Sequence, residues 1–111
     1  MIKRVYQLHF YLTSTKEDKV NELANKIKFK MTKNDYGYKP YSAVAKNTSG
    51  LNFSYFNLNI NLLDKDGVII ESTSASVNNF SEGAKARFEF STDKSFKKID
   101  IKTIEWSEAD E

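Results

Sequence analysis

The stretch Phe56-Asn57-Leu58-Asn59-Ile60-Asn61-Leu62 places an apolar side chain at every even position and an asparagine at every odd one. Side chains of a β-strand alternate between the two faces of a sheet, so this register puts Phe56, Leu58, Ile60 and Leu62 on one side. Asparagine is a poor strand former. Packing on the even side must therefore hold the segment in place, and that side must lie over a core. The odd side, Asn57, Asn59 and Asn61, is read as the solvated face of the sheet, with a glycan or a partner edge as its alternative occupant.

The flanking residues extend the pattern. Asp64-Lys65-Asp66-Gly67 reads as a hairpin turn, with Gly67 available for positive φ. Val68 to Val77 is the return strand, and Asn78 to Gly83 turns again. Ala84, Ala86, Phe88 and Phe90 alternate with Lys85, Arg87 and Glu89 as another strand, and Asp93 to Phe96 is a loop. Ile99 and Ile101 share one parity, but Ile104 and Trp106 fall on the other, which predicts a bulge or strand end near Thr103. Upstream, Tyr41 to Lys46 is a short strand between turns at Asn34–Pro40 and Asn47–Gly50. Lys26 to Met31 alternates strictly, with Ile27, Phe29 and Met31 expected inside and three lysines outside. Lys16 to Asn25 reads as a helix: Thr15 is its N-cap, Asp18 completes a capping box, and Val20, Leu23, Ala24 and Ile27 form one apolar stripe. Tyr6, Leu8, Phe10 and Leu12 have the period of a first strand. About seven strands at intervals of roughly 8–12 residues, with a single helix, predict an antiparallel β-sandwich or barrel rather than a parallel βαβ architecture.

Composition agrees. The chain has 111 residues, 40% apolar and 14% aromatic, enough for one domain with its own core. We divide it into an N-terminal strand and helix (1–25), a sandwich (26–106) and an acidic tail (107–111). The absence of cysteine excludes disulfides, thiolate metal sites and a cysteine nucleophile. The net charge is +2. Glu105, Glu108, Asp110 and Glu111 gather at the end, leaving the remainder basic. No apolar run is long enough to span a membrane, so no membrane insertion is expected. Gln7 and His9 interrupt Val5–Leu12 and no small-residue cleavage site follows, so the chain reads as cytoplasmic as it stands, or as an excised domain of an exported protein or lipoprotein.

From Tyr41 to Ile101 the order of elements resembles the FxLYD domain family, small immunoglobulin-like sandwich domains of bacteria and archaea. The residues that carry the resemblance are Val44-Ala45-Lys46-Asn47 at a strand-ending turn, Ile60-Asn61-Leu62-Leu63-Asp64 with Lys65-Asp66-Gly67 at the hairpin, Phe80-Ser81-Glu82-Gly83 at the next turn, and Ala86-Arg87-Phe88-Glu89-Phe90 in an aromatic strand. Ile60 stands for the family's Phe, Leu63 for its Tyr, and Glu82 for its usual Pro. The resemblance implies an immunoglobulin-like antiparallel β-sandwich, here with a short N-terminal strand and helix, and an adaptor or adhesive role. It assigns no catalytic residue and no site residue.

No residue set signals catalysis. His9 is the only histidine, and alone it builds neither a metal site nor a Ser-His-Asp triad. Aligning Gly67 to the glycine of a calcium loop puts Leu62 and Thr73 at ligand positions, which neither can fill. Glu82 with Glu89, or Asp64 with Asp66, are ordinary exposed carboxylates on turns and strand faces. We therefore expect no enzyme, no metal and no cofactor. The loop Tyr36-Gly37-Tyr38-Lys39-Pro40-Tyr41 is the first candidate surface. Tyrosine gives large contact area at low rotamer cost, so Tyr36, Tyr38, Lys39 and Tyr41 are candidate partner-binding residues, against the alternative that one or two cap the sandwich end. Lys26, Lys28, Lys30, Lys85 and Arg87 are a candidate basic patch if their strands are neighbours; otherwise they protect sheet edges. Three functions suit these surfaces. The first is a non-catalytic module that recognises a protein partner through an exposed loop or sheet face. The second is a small phage or mobile-element effector inhibiting a host defence nuclease, in the manner of an anti-CRISPR. The third is a nucleic-acid-binding domain using the basic strands.

Overall fold

The computed structural model describes residues 15–33 and 37–109. The expected strand Tyr6–Leu12, His9 and Tyr36 lie outside the described residues. Within them the chain forms α1 (Lys16–Asn25), β1 (Lys30–Met31), β2 (Lys39–Lys46), β3 (Phe53–Leu63), β4 (Ile69–Phe80), β5 (Lys85–Thr92) and β6 (Lys98–Glu108). The strands make two antiparallel sheets, ordered β1-β2-β5 and β4-β3-β6. Among the described residues the chain is a small, mainly β sandwich with one short helix.

β2 is central in one sheet, between β1 and β5, and β3 is central in the other, between β4 and β6. The free side of β6 holds no strand among the described residues. The helix lies along β6 instead. Glu17, Val20 and Asn21 line a groove with Thr103, Ile104 and Trp106, and Ala24 and Ile27 line a second one with Ile99 and Ile101.

The helix forms where its sequence starts and stops it. Thr15 accepts from the Asp18 backbone N–H at 3.0 Å, and the Asp18 carboxylate accepts from the Thr15 N–H at 3.3 Å. This is the expected capping box, and Glu17 and Asp18 place negative charge on the first turn. Val20, Leu23, Ala24 and Ile27 are all buried, so the helix contributes its stripe to the core. The exposed ion pair Lys16–Glu108, at 2.5 Å, pins its start to β6, a contact of small energetic weight.

The even side of β3 faces that core. Phe56, Leu58, Ile60 and Leu62 are at most 1% exposed. Phe53, Phe56, Phe80 and Phe88 meet edge-on or tilted, with centroids 4.9–6.4 Å apart, and Trp106 stands against Phe53. Such offset and edge contacts suit the ring quadrupoles. At the other end Phe90 stacks on Tyr41 and meets Phe29 edge-on. Beyond Phe90, at the end of β5, Thr92 donates to the Glu71 carboxylate from the opposite sheet.

Several expected boundaries move. The strand expected at Lys26–Met31 shortens to Lys30–Met31, because α1 and its cap take up the chain through Lys26. Ile27 and Phe29 do turn inward, but Met31 is 47% exposed, since among the described residues β1 is a two-residue strand at the sheet edge. β2 begins at Lys39, inside the expected loop, and β4 runs on to Phe80, where Asn79 takes a left-handed φ of 55°. β6 continues through Glu108, into the expected acidic tail. The expected irregularity near Thr103 is present: Asn59 pairs with Thr103 but Ile60 with Ile101, so Lys102 is the bulged residue. A bulge carrying a lysine blunts this edge against further pairing.

Asn47 ties the turns at the opposite end. It is fully buried, and its amide donates to the carbonyls of Leu51 (2.8 Å) and Phe80 (3.0 Å) while its oxygen accepts from the Ser49 N–H (2.9 Å). The Lys46-Asn47 turn is thus a structural joint. Asp64 does the same for the hairpin, accepting from Asp66 and Val68 N–H groups with Gly67 at φ 82°.

Candidate functional site

The sandwich leaves two outer sheet faces, and its register decides what each displays. Residues directly opposite in an antiparallel pair share a face. On β2 and β5 the inward set is Tyr41, Ala43 and Ala45 against Phe90, Phe88 and Ala86. The outward set is Ser42 opposite Glu89, Val44 opposite Arg87, and Lys46 opposite Lys85. β1 adds Lys30, opposite Ser42. By the alternation of β2, Tyr38 is on this outer side with Pro40 and Ser42.

Tyr38, Val44, Lys30, Lys46, Lys85, Arg87 and Glu89 are all exposed. Tyr38 is 58% and Val44 53% exposed, large apolar surfaces amid charge. Among the described residues, Lys30, Lys46, Lys85 and Arg87 make no ion pair and no side-chain hydrogen bond. Lys46 and Lys85 are direct cross-strand neighbours, an arrangement in which like charges oppose folding.

The outer face of the other sheet differs. Its rows run Asn78–Tyr55–Ser107, Ser76–Asn57–Glu105, Ser74–Asn59–Thr103 and Ser72–Asn61–Asp100. The side chains bond to one another. Asn57 donates to Asn59 at 2.9 Å and to Glu105 at 3.2 Å, Asn59 donates to Thr103 at 2.9 Å, and Ser72 donates to Asn61 at 2.7 Å. This corrects the expectation of a simply solvated asparagine face: Asn57 is only 4% exposed, because it is central in its sheet and enclosed by this network.

The candidate residues are thus regrouped. Tyr38 joins Lys30, Lys85 and Arg87 on one face, although loop and patch are separate in the sequence. Tyr41 turns the other way and packs between Phe90 and Phe96, with centroids 5.1 and 5.2 Å away, so it caps the sandwich end. Lys39 is half-buried and donates to the Lys94 carbonyl at 3.2 Å. Lys26 donates to Thr48 at 2.9 Å, and Lys28 lines the groove beside Asp100. Glu82 accepts from the Gly50 N–H at 2.7 Å, away from Glu89 on the β5 face. Lys46 and Val44 are the members that sequence reading passed over. Their signal was the even parity of Ser42, Val44 and Lys46 against Tyr41, Ala43 and Ala45.

Of the two grooves between α1 and β6, the one lined by Ala24, Ile27, Ile99 and Ile101 has a volume of about 390 Å³. Among the described residues no group of three or more histidine or acidic side chains is arranged to hold a metal ion, and no helix is long and apolar enough to cross a membrane. Compared with known proteins, the chain matches no family model, no curated protein and no solved structure, so its resemblance to FxLYD domains rests on the sequence alone.

Proposed function

We propose that the protein is a non-catalytic binding module that recognises a protein partner through the outer face of the β1-β2-β5 sheet. One observation carries this reading: four unpaired cations and two exposed apolar side chains, Tyr38 and Val44, share that face. Mixed aromatic, apolar and arginine-bearing surface is typical of recognition patches, where apolar contact supplies affinity and charge supplies orientation and association rate. The FxLYD resemblance, with its adaptor or adhesive role, agrees with such a module. Inhibition of a host defence nuclease is one form the same recognition takes, with the nuclease as partner.

The test is capture by the tagged chain from lysate of its source, compared with a Lys46→Glu, Arg87→Glu double variant. Both positions are exposed, and Lys46→Glu sets an opposite charge across from Lys85, so the variant is expected to melt no lower than the parent. Loss of a nuclease-resistant protein partner is the expected result. Equal capture by the variant removes this face from the function.

A further inference from the structure

We infer that the partner is an acidic protein segment carrying apolar side chains, with its carboxylates set against Lys46, Lys85 and Arg87, one apolar group against Val44 and another, further along the strand, against Tyr38. This rests on the reading of the β1-β2-β5 face as the recognition surface and names its ligand chemistry. Three features of the face select it.

The first is the charge array. Lys46 and Lys85 oppose each other, and Arg87 follows two residues along β5 on the same side. Adjacent unpaired cations raise the potential where an anion would sit, and a carboxylate between them relieves their repulsion. The guanidinium adds a planar donor fork suited to a carboxylate. The second is Glu89, which stands in the row of Lys30 and Ser42. A continuous phosphate backbone crossing from Arg87 toward Lys30 meets this negative charge, whereas a protein segment can place a neutral or basic residue there. The third is the apolar content. Val44 lies in the row of Arg87, and Tyr38 is the aromatic side chain this face displays among the described residues. Single-stranded nucleic acids are held by successive aromatic platforms under their bases; an aliphatic side chain amid cations instead suits an apolar residue of a protein.

The full chain is titrated with a random glutamate–tyrosine copolymer, with polyglutamate, and with oligothymidylate of matched charge. The expected order of affinity is copolymer, then polyglutamate, then oligothymidylate. Lys46→Glu with Arg87→Glu weakens copolymer binding by roughly tenfold or more, while Val44→Ser with Tyr38→Ser removes the preference for copolymer over polyglutamate. Lys85→Glu is the internal control: it pairs with Lys46, so it raises the melting temperature while lowering copolymer affinity. No copolymer binding, or oligothymidylate bound as tightly as the copolymer, overturns the acidic-protein assignment. If that oligothymidylate binding is lost in the Lys46→Glu, Arg87→Glu variant, the face remains the site and only the ligand class is wrong. Copolymer binding that no variant on the face alters overturns the face itself.

Discussion

The two outer sheet faces of this sandwich use their polar groups in opposite ways. On β4-β3-β6 the side chains bond to each other: Asn57, Asn59, Thr103 and Glu105 form a linked set, and Ser72 holds Asn61. On the outer face of β1-β2-β5, Lys30, Lys46, Lys85 and Arg87 make no ion pair or side-chain hydrogen bond among the described residues, and two of them repel across a strand pair. Both faces are polar in composition, so polarity alone does not separate them. What separates them is whether the hydrogen-bonding and charge capacity is consumed within the fold. A face that satisfies itself supports the sheet beneath it, and a face that does not has capacity left for another molecule.

The largest effect is expected beneath the ladder. Leu58→Ala should cost ~2–5 kcal/mol in denaturant unfolding, as a truncation at a fully buried site. A cost near zero would mean that the even side of β3 does not hold the asparagines in a strand. Next comes the ladder itself. Asn57→Ala removes donors to Asn59 and Glu105 from a nearly buried position and is expected to cost about 1–2 kcal/mol. Stability unchanged within error would reduce this face to an ordinary solvated surface and erase the contrast. The smallest effect, and the one of opposite sign, belongs to the basic face. Lys85→Glu replaces a repulsive cross-strand pair with an attractive one and should stabilise by roughly 0.2–1 kcal/mol, diminishing with added salt. Destabilisation would show that Lys85 does structural work and is not held in reserve for a ligand.

How much was legible in the sequence follows from the range of the interactions involved. The helix and its cap were readable because the capping box and the apolar stripe are contacts within one or two turns. The even side of β3 was readable because period-two alternation over seven residues has one physical interpretation. The bulge near Thr103 was readable because Ile101 and Ile104 cannot share a face without one. Met31 was misjudged because its exposure depends on β1 being short and at an edge, which is a property of the sheet. Asn57 was misjudged because the groups enclosing it, Glu105 above all, are distant in the chain.

The candidate site divides along the same line. Local pattern identified the tyrosines and the lysines of β1 and β5, but local pattern contains no sheet order. Only the pairing of β2 with both β1 and β5 places Lys30, Val44, Lys46, Lys85 and Arg87 on one surface and joins Tyr38 to them by strand parity. The same pairing turns Tyr41 inward onto Phe90. Among the described residues the sequence by itself determined the helix, the existence of the strands and the side each residue presents within its own element, though not every strand end, because side-chain periodicity is a property of the backbone. The tertiary structure decided which of those sides become neighbours, because register and sheet order are settled by burying Phe56, Phe80 and Phe88 in one core, an interaction no single segment contains.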